Sequence, residues 1–381
     1  MNHKNILGVA LTVVSLAITV TSPSVSVAER PKGSAQKRSQ QTMRRHLLVT
    51  ARKIEGLRSL AEVRTAIKSG HSKRLWEAMI ALADADLLTP PLEGGNRSYP
   101  VVNATGARLL RHALAAMVLG QPAGNRYRDA AVAQLECLFD PARWPNWNDP
   151  SHTRVGIDAK QFFLRHGRLS RDIGLAYDWL YTTLTPAQRK AVIDGLNTYA
   201  IPQFRYSADG HGYRGTLDRA NNIMVCIIGG AAILGMALAE DHPESQFLID
   251  MAADRDHNPY SDSFGRMGSY VYGDIAFGPQ GSWNESVGYS GSINNLITYA
   301  DALHYHKSAQ AGAAGPHPLG AEPYPNYCRW VMYMTMPPGR QACLGDGQLD
   351  TKMCMTYFPA VAAASGDQIL QWAYLNNLHP P

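Results

Sequence analysis

Apolar residues recur at helical spacing along most of the chain after about residue 56, and no long alternating pattern typical of strands is present. Pro90-Pro91 and Gly94-Gly95 separate the first two helical patterns, and a third predicted helix covers residues 127–139. The first two patterns rest on Leu75, Met79, Leu82 and Ala83, and on Leu109, Leu110, Ala113, Leu114 and Met117.

The clearest prediction is a pair of helices within residues 170–200. An apolar stripe at spacings of three and four runs over residues 173–184, which predicts one buried face. Thr185 then fits an N-cap, Pro186 the first helical position, and Gln188 the third residue of a capping box. Two amphipathic helices with so short a connection predict an antiparallel hairpin.

A helix predicted over residues 221–239 is apolar on nearly every side, which is typical of the centre of a helical body. The glycine-rich polar stretch before it, residues 206–219, contains His211. Asn221 and Asn222 stand at the start of the helix. One of them fits an N-cap, and both amides are also well placed to bind a ligand carboxylate.

Repeated helical hairpins around one buried centre predict an all-α fold, an incomplete (α/α) toroid with little β structure. Residues 261–281 are rich in Gly, Ser, Tyr and Asp, which fits a short strand pair or a lid. The later predicted segments are a helix from Tyr289 to His306, then residues 327–336 and 357–375, with a turn at residues 344–347.

The first 28 residues are typical of a secretory signal, with Lys4 before an apolar run and a small-residue cleavage site at Ala28. The mature protein is therefore expected in the periplasm or outside the cell. Residues 29–56 form a basic arm that is predicted to be mobile, and residues 57–381 form the folded domain. Because residues 59–381 carry a net charge of −3, the basic pI does not indicate nucleic acid. No membrane contact is expected after signal cleavage.

The five cysteines show no Cys-x-x-Cys spacing, and no zinc signature is present. Cys226 lies within an apolar helix and is predicted to be a buried thiol. One disulfide among Cys328, Cys343 and Cys354 is an open alternative for an exported protein. No cofactor or metal is expected.

Polar and aromatic residues cluster in two stretches that are candidates for chemistry. Residues 281–299 run from a glycine-rich entry into a helix, with Tyr289 near its start. A phenol titrates near pH 10, so it acts as acid or base when a neighbour perturbs it or the reaction needs a strong base. The alternative is a tyrosine of the core or of a cleft wall.

The second stretch is the loop 142–156, which holds Trp144, Trp147, Asn148 and His152. Indole rings stack on the apolar C–H faces of sugars, and the amide and imidazole suit the hydroxyls. Equally, these tryptophans could pack beneath a helical layer.

Three segments resemble the toroid domain of the heparinase II/III-like and alginate-lyase-like polysaccharide lyases. They are Ile173-Gly-Leu-Ala-Tyr-Asp-Trp-Leu-Tyr181 followed by Leu184-Thr-Pro-Ala-Gln-Arg189, then Asn221-Asn222 with the Gly229-Gly230-Ala-Ala run, and Gly281-Ser-Trp-Asn-Glu285 with Gly288-Tyr289. The resemblance covers residues 60–375, and the family's C-terminal β-sheet domain is expected to be absent.

The resemblance implies β-elimination on an acidic polysaccharide or oligosaccharide that contains uronic acid. It implies that Tyr289 is the acid or base, and that Asn221 or Asn222 neutralises the uronate carboxylate, with His211 sharing the base role or binding substrate. Preorganised donors of this kind stabilise an enolate-like intermediate. Expected substrate-binding residues are Trp144, Trp147, Asn148, His152, Arg219, Trp283 and Glu285.

Two other functions remain open. A glycoside hydrolase needs two carboxylates, for which Glu285 with Asp178, Asp274 or Asp346 is available, although a structural role is favoured for Asp178. A truncated toroid that binds glycans without turnover is the third possibility.

Overall fold

The computed structural model describes residues 47–94, 99–144, 164–206, 222–253, 281–283, 287–336, 339–343 and 353–375, and these residues form a helical body. Its α-helices are α1 (Leu60–Ala66), α2 (Gly70–Leu87), α3 (Tyr99–Leu119), α4 (Asn125–Leu138), α5 (Leu164–Leu180), α6 (Pro186–Tyr199), α7 (Ile201–Tyr206), α8 (Asn222–Leu238), α9 (Ser245–Ala253), α10 (Ile293–Ala311), α11 (Tyr324–Tyr333), α12 (Phe358–Ser365) and α13 (Gln368–Ala373).

Other regular structure is short. The 3₁₀ helices cover Ala239–Asp241, Val287–Ser292 and Pro318–Gly320. Strands β1 (Thr335–Met336) and β2 (Arg340–Gln341) form an antiparallel pair, with Thr335 opposite Gln341. The prediction of an all-α protein is therefore confirmed. Within the described residues, no helix combines the length and the apolar character needed to cross a lipid bilayer.

Local sequence signals set several helix boundaries. The Thr185 side chain caps α6 by accepting from the backbone N–H of Gln188, and Pro186 occupies the first turn. The side-chain oxygen of Gln188 in turn accepts from the backbone N–H of Thr185, so the predicted capping box is present. An equivalent box formed by Ser59 and Glu62 begins α1. The predicted segment 357–375 is divided into α12 and α13 because Gly366 adopts a left-handed φ of 72° and Asp367 caps the next helix.

Four helices form an inner layer. Helix α5 packs between α3 and α8, and α8 packs between α5 and α10. Every residue from Val225 to Leu238 of α8 is buried, which confirms the predicted central helix. Helix α5 was predicted to bury one stripe, but every residue from Leu169 to Leu180 is buried. It differs from that prediction because it is covered by inner helices on both sides.

Glycines allow α5 and α8 to approach at backbone contact. A Cβ atom at Gly230 would lie 2.0 Å from the carbonyl oxygen of Gly167, and one at Gly174 would lie 3.0 Å from the Cα of Leu234. Gly167 of α5 therefore meets Gly230 of α8, and the later Gly174 meets the later Leu234. Because both contacts advance in the same direction along the chain, the two helices run parallel. Only a residue without a Cβ fits the closest of these contacts.

The segment from Leu47 to Ala66 covers the C-terminal ends of three inner helices. Arg64 donates to the carbonyl oxygens of Met117 and Val118 in α3. The backbone N–H of Leu47 donates to Asp178 of α5 at 2.5 Å. The N–H of Arg58 lies 3.4 Å from the hydroxyl of Tyr305 in α10. Helices α3, α5 and α10 therefore end on the same side, which we call the C-terminal face.

Helix α8 ends on that face too. Just beyond it, Asp241 accepts hydrogen bonds from the hydroxyls of Tyr177 and Tyr181, which stand at the end of α5. All four inner helices are consequently parallel. Their first residues, Tyr99, Leu164, Asn222 and Ile293, lie at the opposite end, which we call the N-terminal face.

One prediction needs correction. Residues 47–56 were assigned to a mobile basic arm, yet Leu47, Leu48 and Val49 are buried in the core, so the folded body begins before residue 57. The apolar Leu-Leu-Val sequence explains this, because its burial stabilises the docked segment. All five cysteines are free, which decides against the disulfide that the sequence left open, and Cys226 is buried as predicted.

Candidate functional site

Two of the sequence-predicted residues lie at the N-terminal face. Asn222 is the first residue of α8, and Tyr289 lies on the 3₁₀ helix directly before α10. Because the four helices are parallel, the positive ends of their dipoles point to this face, which favours a negatively charged ligand.

Tyr289 lies on the 3₁₀ helix Val287–Ser292, directly before α10. Tyr289 is 36% exposed, in contrast to the buried Tyr299 of the following helix α10. The 3₁₀ helix also contacts α8, which begins at Asn222. Tyr289 therefore occupies the N-terminal face with a partly exposed side chain.

A polar group that the sequence analysis missed adjoins this turn. Asn294, in the first turn of α10, accepts a hydrogen bond from the hydroxyl of Thr356 at 3.0 Å and donates to the sulfur of Cys354 at 3.5 Å. A Cβ atom at Gly291 would lie 3.8 Å from the same sulfur. These contacts fix the segment before α12 against the turn of Tyr289. The contacts join positions about 60 residues apart, so sequence spacing gives no signal for them.

A charged network lies beneath the face, within the inner layer. Arg171 donates through Nε to Asp172 at 2.7 Å and through Nη1 to the side-chain oxygen of Asn295 in α10. Burial raises the pKa of the Asp172 carboxyl, and the charge of Arg171 opposes that shift. A Cβ atom at Gly106 of α3 would lie 2.0 Å from Asp172 Oδ2. The network thus links α5 to α10 and brings a carboxylate against α3.

Two tryptophans predicted to bind substrate are buried. Trp144 is 1% exposed and donates its indole N–H to the carbonyl oxygen of Leu92 at 2.9 Å. Trp283 is 4% exposed. Neither ring presents a free face for stacking on a sugar, so the packing role left open by the sequence describes Trp144 better.

Other predicted residues lie outside the described residues. They are Trp147, Asn148, His152, His211, Arg219, Asn221, Glu285, Asp274 and Asp346. For Asn222 only the position at the start of α8 is described.

Asp178 lies far from this face. Its carboxylate is buried near the C-terminal end of α5, where it binds the N–H of Leu47, and Trp179 beside it donates to the carbonyl oxygen of Leu47. The structural role favoured for Asp178 is the one that these contacts describe. A hydrolytic pair of Asp178 with a residue near Tyr289 is therefore excluded by their positions at opposite ends of the inner layer.

In the part of the chain that the structure describes, no group of three or more His, Cys, Asp or Glu side chains has an arrangement that could hold a metal ion. Comparison of the chain with models of known protein families gave no match, and no curated protein matches it either.

Proposed function

We propose that the chain is an exported polysaccharide lyase that cleaves a uronic-acid-containing polysaccharide by β-elimination at the N-terminal face. The observation that carries this proposal is the position of Tyr289, partly exposed on a turn that contacts α8 and directly precedes α10, at the end where the four parallel helices begin. A partly exposed tyrosine in a region of positive potential suits proton transfer on an anionic sugar.

In the proposed reaction, a base removes the proton at C5 of the uronate, and the electron pair forms a double bond between C4 and C5. The bond between C4 and the glycosidic oxygen breaks, and the leaving oxygen takes a proton from an acid. Tyr289 fills the acid or base role. Asn221 or Asn222 neutralises the carboxylate so that negative charge spreads onto it, and His211 shares the base role or binds substrate.

The fold proposed to hold this site is an incomplete (α/α) toroid. Its support is the alternation along the chain between inner helices α3, α5, α8 and α10 and the helices that connect them. A contact between the two ends of the array adds to it, because the rings of His71 in α2 and Tyr374 after α13 lie 5.9 Å apart, edge to face.

The experiment is turnover of a panel of polymers by the exported protein. Alginate and heparan sulfate supply uronates, and a neutral glucan is the control. We expect a rise in ultraviolet absorbance from the conjugated unsaturated product on a uronate polymer and none on the glucan. New reducing ends without that absorbance would instead indicate a hydrolase, and binding without either product would indicate a non-catalytic glycan-binding protein.

A further inference from the structure

Two imidazoles are stacked on the C-terminal half of α10, away from the N-terminal face. The ring centroids of His304 in α10 and His317 in the following connection lie 4.2 Å apart, with the planes inclined by 36°. His317 Nε2 lies 2.9 Å from Asp301 Oδ1. His304 is 7% exposed, so the pair is shielded from water on one side.

The hydrogen bonds of His317 require its neutral form. The backbone N–H of Leu319 donates to His317 Nδ1 at 3.1 Å, which caps the 3₁₀ helix Pro318–Gly320. Since Nδ1 is the acceptor, the proton resides on Nε2, which donates to Asp301. A second proton on Nδ1 would face the N–H of Leu319 and remove the cap.

Burial also opposes a charge on His304. Burial first, and the neighbouring His317 second, lower the pKa of His304, whereas Asp301 acts in the opposite direction, and together they bring it from 6.5 to about 4. If the pair separated and became hydrated, His304 would regain its ordinary pKa. Protonation therefore favours separation, and the closed pair loses stability as pH falls from 6.5 towards 4.

A small apolar cluster adjoins the pair on the C-terminal face. Ile54 and Leu57 of the N-terminal segment pack with Tyr305 and Ala309 of α10. Ala314, in the connection that carries His317, packs against this cluster. A Cβ atom at Gly56 would lie 3.3 Å from the Cβ of Ala314, so the connection and the N-terminal segment are in direct contact.

Charged groups from each neighbouring element surround the pair. Asp301 of α10 attracts a proton, whereas Arg58 of the N-terminal segment is a permanent cation that interacts with Asp301 and Tyr305. Glu62 of α1 interacts with Arg58 in turn. The carboxylate Asp301 is thus shared between His317 and Arg58, and it does not fully offset an imidazolium in the stack.

We propose that His304, His317 and Asp301 form an acid-sensitive latch, which at neutral pH holds the connection 312–320 and residues 54–58 against α10 and releases both on acidification. The release concerns the outer part of this connection, since Leu319 near its end is buried in the main core. The latch is independent of the chemistry at the N-terminal face.

Hydrogen–deuterium exchange of the full mature chain, read by mass spectrometry at about pH 7.5 and about pH 5 and corrected for intrinsic rates, tests the latch. We expect protection of peptides covering residues 312–320 and 54–58 to fall at least about tenfold at the lower pH. The control is a peptide from α8, residues 225–238, whose protection should stay unchanged.

Two variants separate the latch from general acid sensitivity. His304→Phe keeps an aromatic ring in the stack without a titrating group, and His317→Asn keeps an acceptor that can cap the 3₁₀ helix. Each should reduce the loss of protection in 312–320 at about pH 5 by at least about threefold relative to the wild type. An equal loss in both variants overturns the proposal. The proposal is also overturned if the protection of residues 312–320 in the wild type is the same at both pH values. It is overturned as well if the α8 peptide loses as much protection as residues 312–320.

Discussion

At the scale of single residues, the described part of the molecule contains charged side chains buried in the inner layer. Arg171 and Asp172 are ion-paired at 2.7 Å with side chains that are almost completely inaccessible. Asn295 is the second acceptor for the guanidinium. Such a pair contributes little to the stability of the folded protein by itself, but removing one partner leaves the other charge buried without compensation.

Replacement of Asp172 by Asn should therefore lower the free energy of unfolding by about 3–5 kcal/mol, as measured by urea denaturation. The matched control is Asp194→Asn, which removes an exposed i,i+4 pair with Lys190 and should cost no more than about 0.5 kcal/mol. Equal losses in the two variants would mean that the buried network contributes no more than a surface pair.

Residue-level prediction from sequence worked where the signal is local. Thr185 and Gln188 are three positions apart, so their capping box is visible in the sequence. Prediction failed for contacts between residues that are far apart in the sequence. Leu47 and Asp178 are separated by 131 positions, and Trp144 and Leu92 by 52. The polar contacts of Asn294 near Tyr289 belong to the same class.

At the scale of helices, the fold depends on the close approach of α5 and α8. The run Gly229-Gly230 was noticed in the sequence, but its physical reason is the backbone of Gly167 against Gly230. Similarly, Gly366 ends α12 and Asp367 caps α13. Both residue types are visible in the sequence, although the apolar pattern predicts a single segment over residues 357–375.

Gly230→Ala should destabilise the protein by about 1–3 kcal/mol, despite the better helix propensity of alanine, because the backbones must separate. Gly315→Ala is the control, since a Cβ atom there meets no atom within 4 Å. Thermal unfolding followed by circular dichroism measures both. A Gly230→Ala protein as stable as the control would contradict direct backbone contact between α5 and α8.

At the scale of the whole molecule, buried histidines make stability depend on pH. Desolvation lowers the pKa of His166 to about 3 and that of His112 to about 4. Because these pKa values are below 6.5 in the folded state, the unfolded chain binds protons first as pH falls. The stability contributed by the neutral imidazoles is present above pH 6.5 and is lost below it.

The free energy of unfolding should accordingly fall with decreasing pH between about 6 and 4, by about 1.4 kcal/mol per pH unit for each such histidine. His166→Gln, which retains a side-chain donor for the carbonyl oxygen of Ala200, should reduce that slope by about this amount. Urea titrations at several pH values measure the slope, and an unchanged slope in the variant contradicts the assignment to His166.

The parallel arrangement of α3, α5, α8 and α10 gives the whole molecule two unlike ends, one covered by residues 47–66 and one carrying Tyr289. The helical class followed from the sequence because apolar periodicity is a local property. The direction of the helices and the residues that meet at each end depend on long-range contacts, which one sequence does not reveal.

The most direct test of the central claim is the rate of uronate cleavage by Tyr289→Phe compared with Tyr333→Phe. Tyr333 is 83% exposed at the end of α11, so its hydroxyl is a matched control outside the proposed site. The account predicts that kcat falls by at least about 100-fold for Tyr289→Phe and stays at the wild-type value for Tyr333→Phe, with both proteins folded. Wild-type kcat in Tyr289→Phe would contradict it.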